Sequence, residues 1–233
     1  MRPRLLLFDV DGTLISTGGV GRAALERVFD TRPGGPSELK SALDGVNLAG
    51  MTDRAIVRAG LNRLHVDPSE RAIDELLERY LIELSRVIDE RGSVRLQPGI
   101  AALLDRLALQ PSVGLGLGTG NVEAGARIKL TAAGIFHRFP FGGFGSDAEE
   151  RADLLRIAAQ RGARHCGVAV EDCVIWVIGD TPRDIEAARS IGARSLAVAT
   201  GPYSIADLES HVPTHVVPTL SPDTVLPILG MER

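Results

Sequence analysis

The chain has 233 residues, of which 44% are hydrophobic and 24% charged, with 26 Lys plus Arg against 30 Asp plus Glu and a formal net charge of -4. That length holds one large domain or two small ones, and the composition is that of a globular protein rather than a fibre or a disordered tail. The mildly acidic balance argues against nucleic acid as the main partner.

The first predicted element is a buried strand, Leu5–Val10, whose apolar run leads straight into Asp9 and Asp11. Residues 20–30, VGRAALERVFD, carry Val20, Ala24, Leu25 and Val28 at helical spacing, and the Pro/Gly-rich stretch TRPGGPSE at 31–38 breaks the pattern. From 52 to 91 helix formers dominate. Ile73, Leu76, Leu77, Tyr80, Leu81, Leu84 and Ile88 recur on one face, Asp67 and Ser69 offer caps at the start, and Gly92 stands at the end.

After LQPG (96–99) strands and helices alternate. IAALLDRLAL reads as a helix, VGLGLGTGN as a strand ending in a glycine turn, and VEAGARIKLTAAG as a helix. FPFGGF is a short strand and loop, and ADLLRIAAQRG a helix. CVIWVIGD is a second buried strand, PRDIEAARSIG a helix, RSLAVATG a strand, and THVVPTL a last edge element. This alternation predicts an α/β protein with a Rossmann-like parallel sheet core. The helical block interrupts it after the first strand. Residues 1–15 and 95–233 therefore read as the core and 16–94 as an inserted α-helical cap, with the two crossings as hinges.

The two cysteines, Cys166 and Cys173, make no secretory framework, and the spacing of His165, Cys166, Glu171, Asp172 and Cys173 matches no structural zinc pattern. The N-terminal apolar run is too short for a signal peptide, and no apolar stretch approaches the ~20 residues of a membrane span. The expectation is a cytoplasmic protein with no membrane partner.

Ligands of open parallel sheets sit outside the carboxyl ends of the strands. Three strands here end in matching polar groups: Asp9-Val10-Asp11, Thr119-Gly120-Asn121 and Gly179-Asp180-Thr181, with Asp184 one turn into the next helix. Converging carboxylates repel and call for a cation, and an oxygen-only set suits Mg²⁺. A Gly-flanked Thr at a helix start suits phosphate. Each feature also has a plainer reading. Asp9 and Asp11 are ordinary turn residues, Thr119 and Asn121 are good helix caps, and Asp184 sits where an acid completes a capping box. The glycines at 114, 116, 118 and 120 match no dinucleotide-binding G-x-G-x-x-G frame.

DVDGTL, LGLGTGN and VIGDTPRDI resemble, in order, motifs one, two and four of the haloacid-dehalogenase-like superfamily, over residues 5–200. The inserted block resembles that superfamily's helical cap. TLISTGGVGRAALERVF and AGMTDRAI are similar to its phosphoglycolate-phosphatase-like branch.

The resemblance implies a phosphatase acting on a small phosphorylated metabolite beneath the cap. Asp9 is the implied nucleophile and Asp11 the acid and base. The Asp9 carboxylate, the Asp11 backbone carbonyl and Asp180 are the implied Mg²⁺ ligands. Thr119, Gly120 and Asn121 hold phosphate in this reading, and Asp184 supports the metal or the basic residue.

That basic residue is usually lysine, and only Lys40 and Lys129 exist here. Lys40 lies in the inserted block. A rise of ~1.5 Å per residue puts Lys129 roughly 12 Å from the strand end. Arg151, opening a helix after FGGFG, is the expected substitute, against a plain surface arginine beside Glu149 and Glu150. Gly50-Met51-Thr52-Asp53-Arg54 reads as substrate-facing or, more simply, as a cap by Thr52 or Asp53. A sugar-phosphate mutase of the same superfamily would use the same aspartates. Asp11 and Asp180 both speak against a haloacid dehalogenase, and a non-catalytic phospholigand-binding protein ranks last.

Overall fold

A computed structural model describes residues 2–30 and 42–231; the predicted break at 31–38 and Lys40 lie outside them. Eight strands are present among the described residues: β1 (Arg4–Phe8), β2 (Ile15–Ser16), β3 (Arg95–Leu96), β4 (Val113–Thr119), β5 (Phe141–Phe144), β6 (Val174–Gly179), β7 (Arg194–Val198) and β8 (His215–Val217). Six of them form one sheet in the order β5-β4-β1-β6-β7-β8, and every neighbouring pair is parallel. Strand β1 is therefore central, and the chain progresses outward from it in both directions. The crevice at such a reversal lies at the carboxyl ends of β1, β4 and β6.

The side-chain alternation of β1 divides the core. Leu6 and Phe8 face one layer, shared with Leu103 and Leu107 of α4 (Ile100–Ala108) and Leu130 of α5 (Glu123–Ala132). Leu5 and Leu7 face the other, shared with Leu154, Leu155 and Ala158 of α6 (Arg151–His165) and Ala187 of α7 (Pro182–Ser190). The glycine run of β4 lets that layer close in. A Cβ on Gly118 would lie 2.4 Å from a Leu155 methyl.

Between β2 and β3 come α1 (Val20–Asp30), α2 (Asp53–Arg63) and α3 (Glu70–Arg91). They share a hydrophobic cluster of their own, including Leu25, Phe29, Val57, Leu61, Ile73 and Leu84. Ser69 caps α3, accepting from Ala72 N, and Thr52 caps α2, accepting from Ala55 N at 3.2 Å. The entering and leaving chains pair as the two-residue ribbon β2–β3, with Ile15 opposite Leu96.

Strand β1 stops at Phe8 rather than at the expected Val10. Asp9 N makes a last bond to Ile178 O at 2.9 Å, and the chain then turns so that Val10 O accepts from Leu14 N and Ile15 N. Two helices were not anticipated from the sequence, α8 (Ile205–Ser210) and α9 (Pro222–Ile228). Among the described residues no helix is long and apolar enough to cross a membrane.

Candidate active site

The turn after β1 is built around Gly12 and Thr13. Gly12 has φ +83° and packs directly on Asp180, where a Cβ would lie 2.2 Å from Oδ2. The Thr13 hydroxyl donates to Asp180 Oδ1 at 2.9 Å. The turn therefore ties the end of β1 to the end of β6. Gly12→Ala is expected to cost about 1–3 kcal/mol through backbone strain alone, and more through displacement of Asp180. Chemical denaturation of the variant measures it; an unchanged midpoint would mean that this packing is slack.

Asp9 is buried between β1, β4 and α6. It accepts from the Thr119 hydroxyl and pairs with Arg151 Nη2 at 2.9 Å. Burial pushes its carboxyl up to about 6 against the lowering pull of Arg151. Asp180 is pushed up to about 8, first by burial and then by the charges of Asp9 and Asp184. These acids share one desolvated space, as the convergence of strand ends predicts.

Arg151 opens α6 and is buried, so the surface reading of this residue does not hold. Its Nε donates to Asp184 Oδ1 at 2.8 Å. Glu149, the neighbour that would have held Arg151 at the surface, instead pairs with Arg58 of α2 at 3.0 Å. Both readings of Asp184 hold together. Its Oδ2 accepts from Thr181 N at 3.1 Å and Thr181 Oγ1 at 2.7 Å, while Oδ1 holds the guanidinium.

The distance argument against Lys129 is overturned. Lys129 Nζ lies 2.6 Å from Asp11 Oδ2 and 2.6 Å from Asn121 Oδ1. The axial rise places the Cα far off, but helical side chains tilt toward the helix N-terminus, and the long lysine stem runs back to the end of β4. Two cations thus stand in the site, Arg151 on Asp9 and Lys129 on Asp11. The Asn121 amide is engaged on three sides. Its Nδ2 donates to Asp11 Oδ2 at 2.8 Å and to Thr119 Oγ1 at 3.0 Å, and its Oδ1 accepts from Lys129.

Asp53, which the sequence reading leaves between a substrate-facing residue and a plain helix cap, lines the same cavity as Asp9 and Asp11. It follows the Thr52 cap, is buried, and crosses to the sheet domain. Its N–H donates to Gly120 O at 2.8 Å, and its Oδ2 accepts from Val122 N at 2.9 Å. Burial pushes its carboxyl up to about 6, opposed by Lys129. Arg54, next in the chain, pairs with Asp74 and Glu70 on its own side.

A cavity of about 270 Å³ opens over Asp9, Asp11 and Asp180 and is walled by Leu25, Ile56 and Tyr80 from the helical block. Carboxylate oxygens of Asp9, Asp180 and Asp184 lie within 4.8 Å of one another. Asp184 is committed to Arg151 and Thr181, which leaves Asp9 and Asp180 as the acids able to turn to a cation. An all-oxygen pair of this kind suits a hard divalent ion, and no His or Cys stands among these acids to favour a softer one.

The family model for haloacid dehalogenase-like hydrolases matches residues 3–192. A phosphoglycolate phosphatase of Xanthomonas campestris pv. campestris is 31% identical over 208 residues, 88% of this chain and 86% of that protein. Among solved structures, a hydrolase from Pseudomonas syringae superposes with a TM-score of 0.71 at 21% identity, covering 98% of each chain. A β-phosphoglucomutase candidate from Thermotoga maritima superposes with a TM-score of 0.61, also at 21% identity, covering 97% of this chain and 98% of that one. The two superpositions speak to the fold alone.

Proposed function

The chain belongs to the haloacid dehalogenase-like hydrolases, and we propose that it is a Mg²⁺-dependent phosphatase hydrolysing a small phosphomonoester through an aspartyl-phosphate intermediate. The observation that carries this reading is Asp9 itself: a buried carboxylate at the end of the central strand, held by Arg151 at 2.9 Å and facing the cavity. The guanidinium orients the nucleophile and is placed to meet charge on the transferring phosphoryl group.

In the first step an Asp9 oxygen forms a bond to phosphorus as the bond to the leaving oxygen breaks, and Asp11 gives that oxygen its proton. In the second step water attacks phosphorus, Asp11 takes the water's proton, and the acyl phosphate bond to Asp9 breaks. The Thr119 hydroxyl and the Gly120 backbone at the start of α5 are the phosphate contacts of this reading. Asp9, Asp180 and the Asp11 backbone carbonyl are the Mg²⁺ ligands. When bound, the ion offsets the mutual repulsion of the acids and draws charge from the phosphate oxygens.

Residues 16–94 act as the cap, and the 270 Å³ cavity beneath them favours a metabolite over a phosphoprotein. The 31% identical relative makes 2-phosphoglycolate the first substrate to try. Phosphate release across a panel of small phosphomonoesters, with Mg²⁺ and with chelator, tests the proposal. Release is expected with Mg²⁺ and without any bisphosphate activator. Chelation is expected to cut it more than tenfold, reversibly. A requirement for a bisphosphate, with isomerised product, would instead identify a mutase.

A further inference from the structure

The two cations of the site do different work. Arg151 already serves Asp9 and Asp184, so Lys129 does not duplicate it. We infer that Lys129 is the positioning residue of Asp11: its ammonium pins Asp11 Oδ2, leaves Oδ1 as the oxygen that exchanges protons, and is itself held in place by Tyr80 and Asp53 from the cap. The inference rests on the roles proposed above for Asp9 and Asp11.

The carboxylate of Asp11 is used asymmetrically. Oδ2 accepts from Lys129 Nζ at 2.6 Å and from Asn121 Nδ2 at 2.8 Å. Oδ1 has only the Thr17 hydroxyl, at 3.5 Å, among the described residues. That separation is at the outer limit of a hydrogen bond, whereas both contacts to Oδ2 are short, and one is charge-assisted. An oxygen already accepting two such bonds is the poorer proton carrier. Oδ1 is left to give a proton to the leaving oxygen and to take one from water, with no rotation of the side chain between the two steps.

The Lys129 side chain is 4% exposed, against 38% for that of Asp11, so the position of its ammonium is set by protein groups. Three of these come from the helical block. Tyr80 of α3 has its hydroxyl beside Nζ, and Asp53 of α2 contributes its charge across the same space. Gly21 of α1 lies against both: a Cβ there would be 3.4 Å from Nζ and 3.5 Å from the Tyr80 oxygen. Asp53 also grips the loop before α5 at Gly120 O and Val122 N. Lys129 is thus enclosed on every side only while α1, α2 and α3 are seated on the sheet domain. Separating the two would open the ammonium to water and leave it only Asp11 and Asn121 as partners, a looser hold on the Asp11 carboxylate, which ties acid–base competence to cap closure.

The test is transient kinetics on p-nitrophenyl phosphate, whose leaving group needs no proton. Lys129→Met is expected to lower kcat about 10²-fold, the lower end of what general acid–base catalysis supplies, and to lower KM alongside it, so that kcat/KM on this substrate stays near wild type. It is further expected to release a burst of one nitrophenolate per site before slow turnover. Phosphorylation of Asp9 stays fast while water activation is impaired. A merely structural lysine would lose burst and turnover together, and that result in folded protein, or an unchanged kcat, overturns the inference.

Should Lys129→Met fail to fold, Tyr80→Phe keeps the ring packing and is expected to lower kcat about fivefold with kcat/KM on this substrate unchanged, the effect of one lost polar contact. Wild-type kcat in that variant overturns the holding role of the cap. Asp9→Asn separates the two levels. Turnover in Asp9→Asn fells the aspartyl-phosphate reading itself, whereas a dead Asp9→Asn beside a wild-type-like Lys129→Met fells only the inference.

Discussion

Asp9→Asn is expected to abolish phosphate release, by about 10⁴-fold or more, while the protein stays folded. Asparagine fills the same volume and keeps a carbonyl oxygen for Arg151, but an amide oxygen is a poor nucleophile toward phosphorus. The expected survival of the fold follows from the electrostatics. Burial pushes the Asp9 carboxyl up to about 6, so its ionised form is disfavoured where it sits. Removing that charge also relieves Asp180, which Asp9 helps to push up to about 8. Arg151 keeps Asp184 as its carboxylate partner. The melting temperature of Asp9→Asn should therefore equal or exceed that of the wild type in chelator. Calorimetry and a phosphate-release assay on one preparation decide the matter. Hydrolysis near the wild-type rate would rule out a covalent route through this residue.

The same electrostatics bear on what could be read from the chain alone. The strands β1, β4 and β6 were legible because parallel strands buried on both faces are continuous apolar or glycine runs, and their polar termini were legible because the run stops so abruptly at Asp9, Thr119 and Asp180. Arg151 could be reached by elimination, since so few lysines compete. Lys129 is hidden because rise along the helix axis places only its Cα, whereas the side chain tilts back toward the helix N-terminus. Asp53 stands undecided in the sequence between a substrate-facing role and a cap for a different reason. Locally it is a first-turn acid beside a Thr cap, a role that needs no burial. Only the tertiary contact with Val122, across 69 residues of chain, turns it into a buried group. The ribbon β2–β3 is two residues on each side, too short for any alternation to register. Helix α9 contains Pro222 and Pro227, which mask it; the first occupies its opening turn, where a missing N–H costs nothing.

Arg151→Ala and Arg156→Ala form the sharpest contrast available on one helix. Both residues belong to α6, five positions apart, and both pair with aspartate. Arg156 is about half exposed and meets Asp153 within its own helix, an arrangement that contributes little to stability and nothing to the cavity. Arg151 is buried between Asp9 and Asp184, and its removal leaves both carboxylates in a desolvated space that also holds Asp180. Breaking a buried pair from one side typically costs 3–5 kcal/mol, because the surviving charge cannot return to water. Arg151→Ala is therefore expected to lose about that much stability and about 10³-fold in kcat/KM, since a cation aimed at the transferring group disappears as well. Arg151→Lys should recover part of the stability and less of the activity. A point charge can neutralise Asp9, but it cannot reproduce the fork that spans Asp9 and Asp184 at once. Denaturant midpoints and kcat/KM for the three variants separate the two contributions. If Arg151→Ala and Arg156→Ala both lie close to wild type, the guanidinium serves neither the nucleophile nor the fold, and the cation of the reaction must be sought at Lys129.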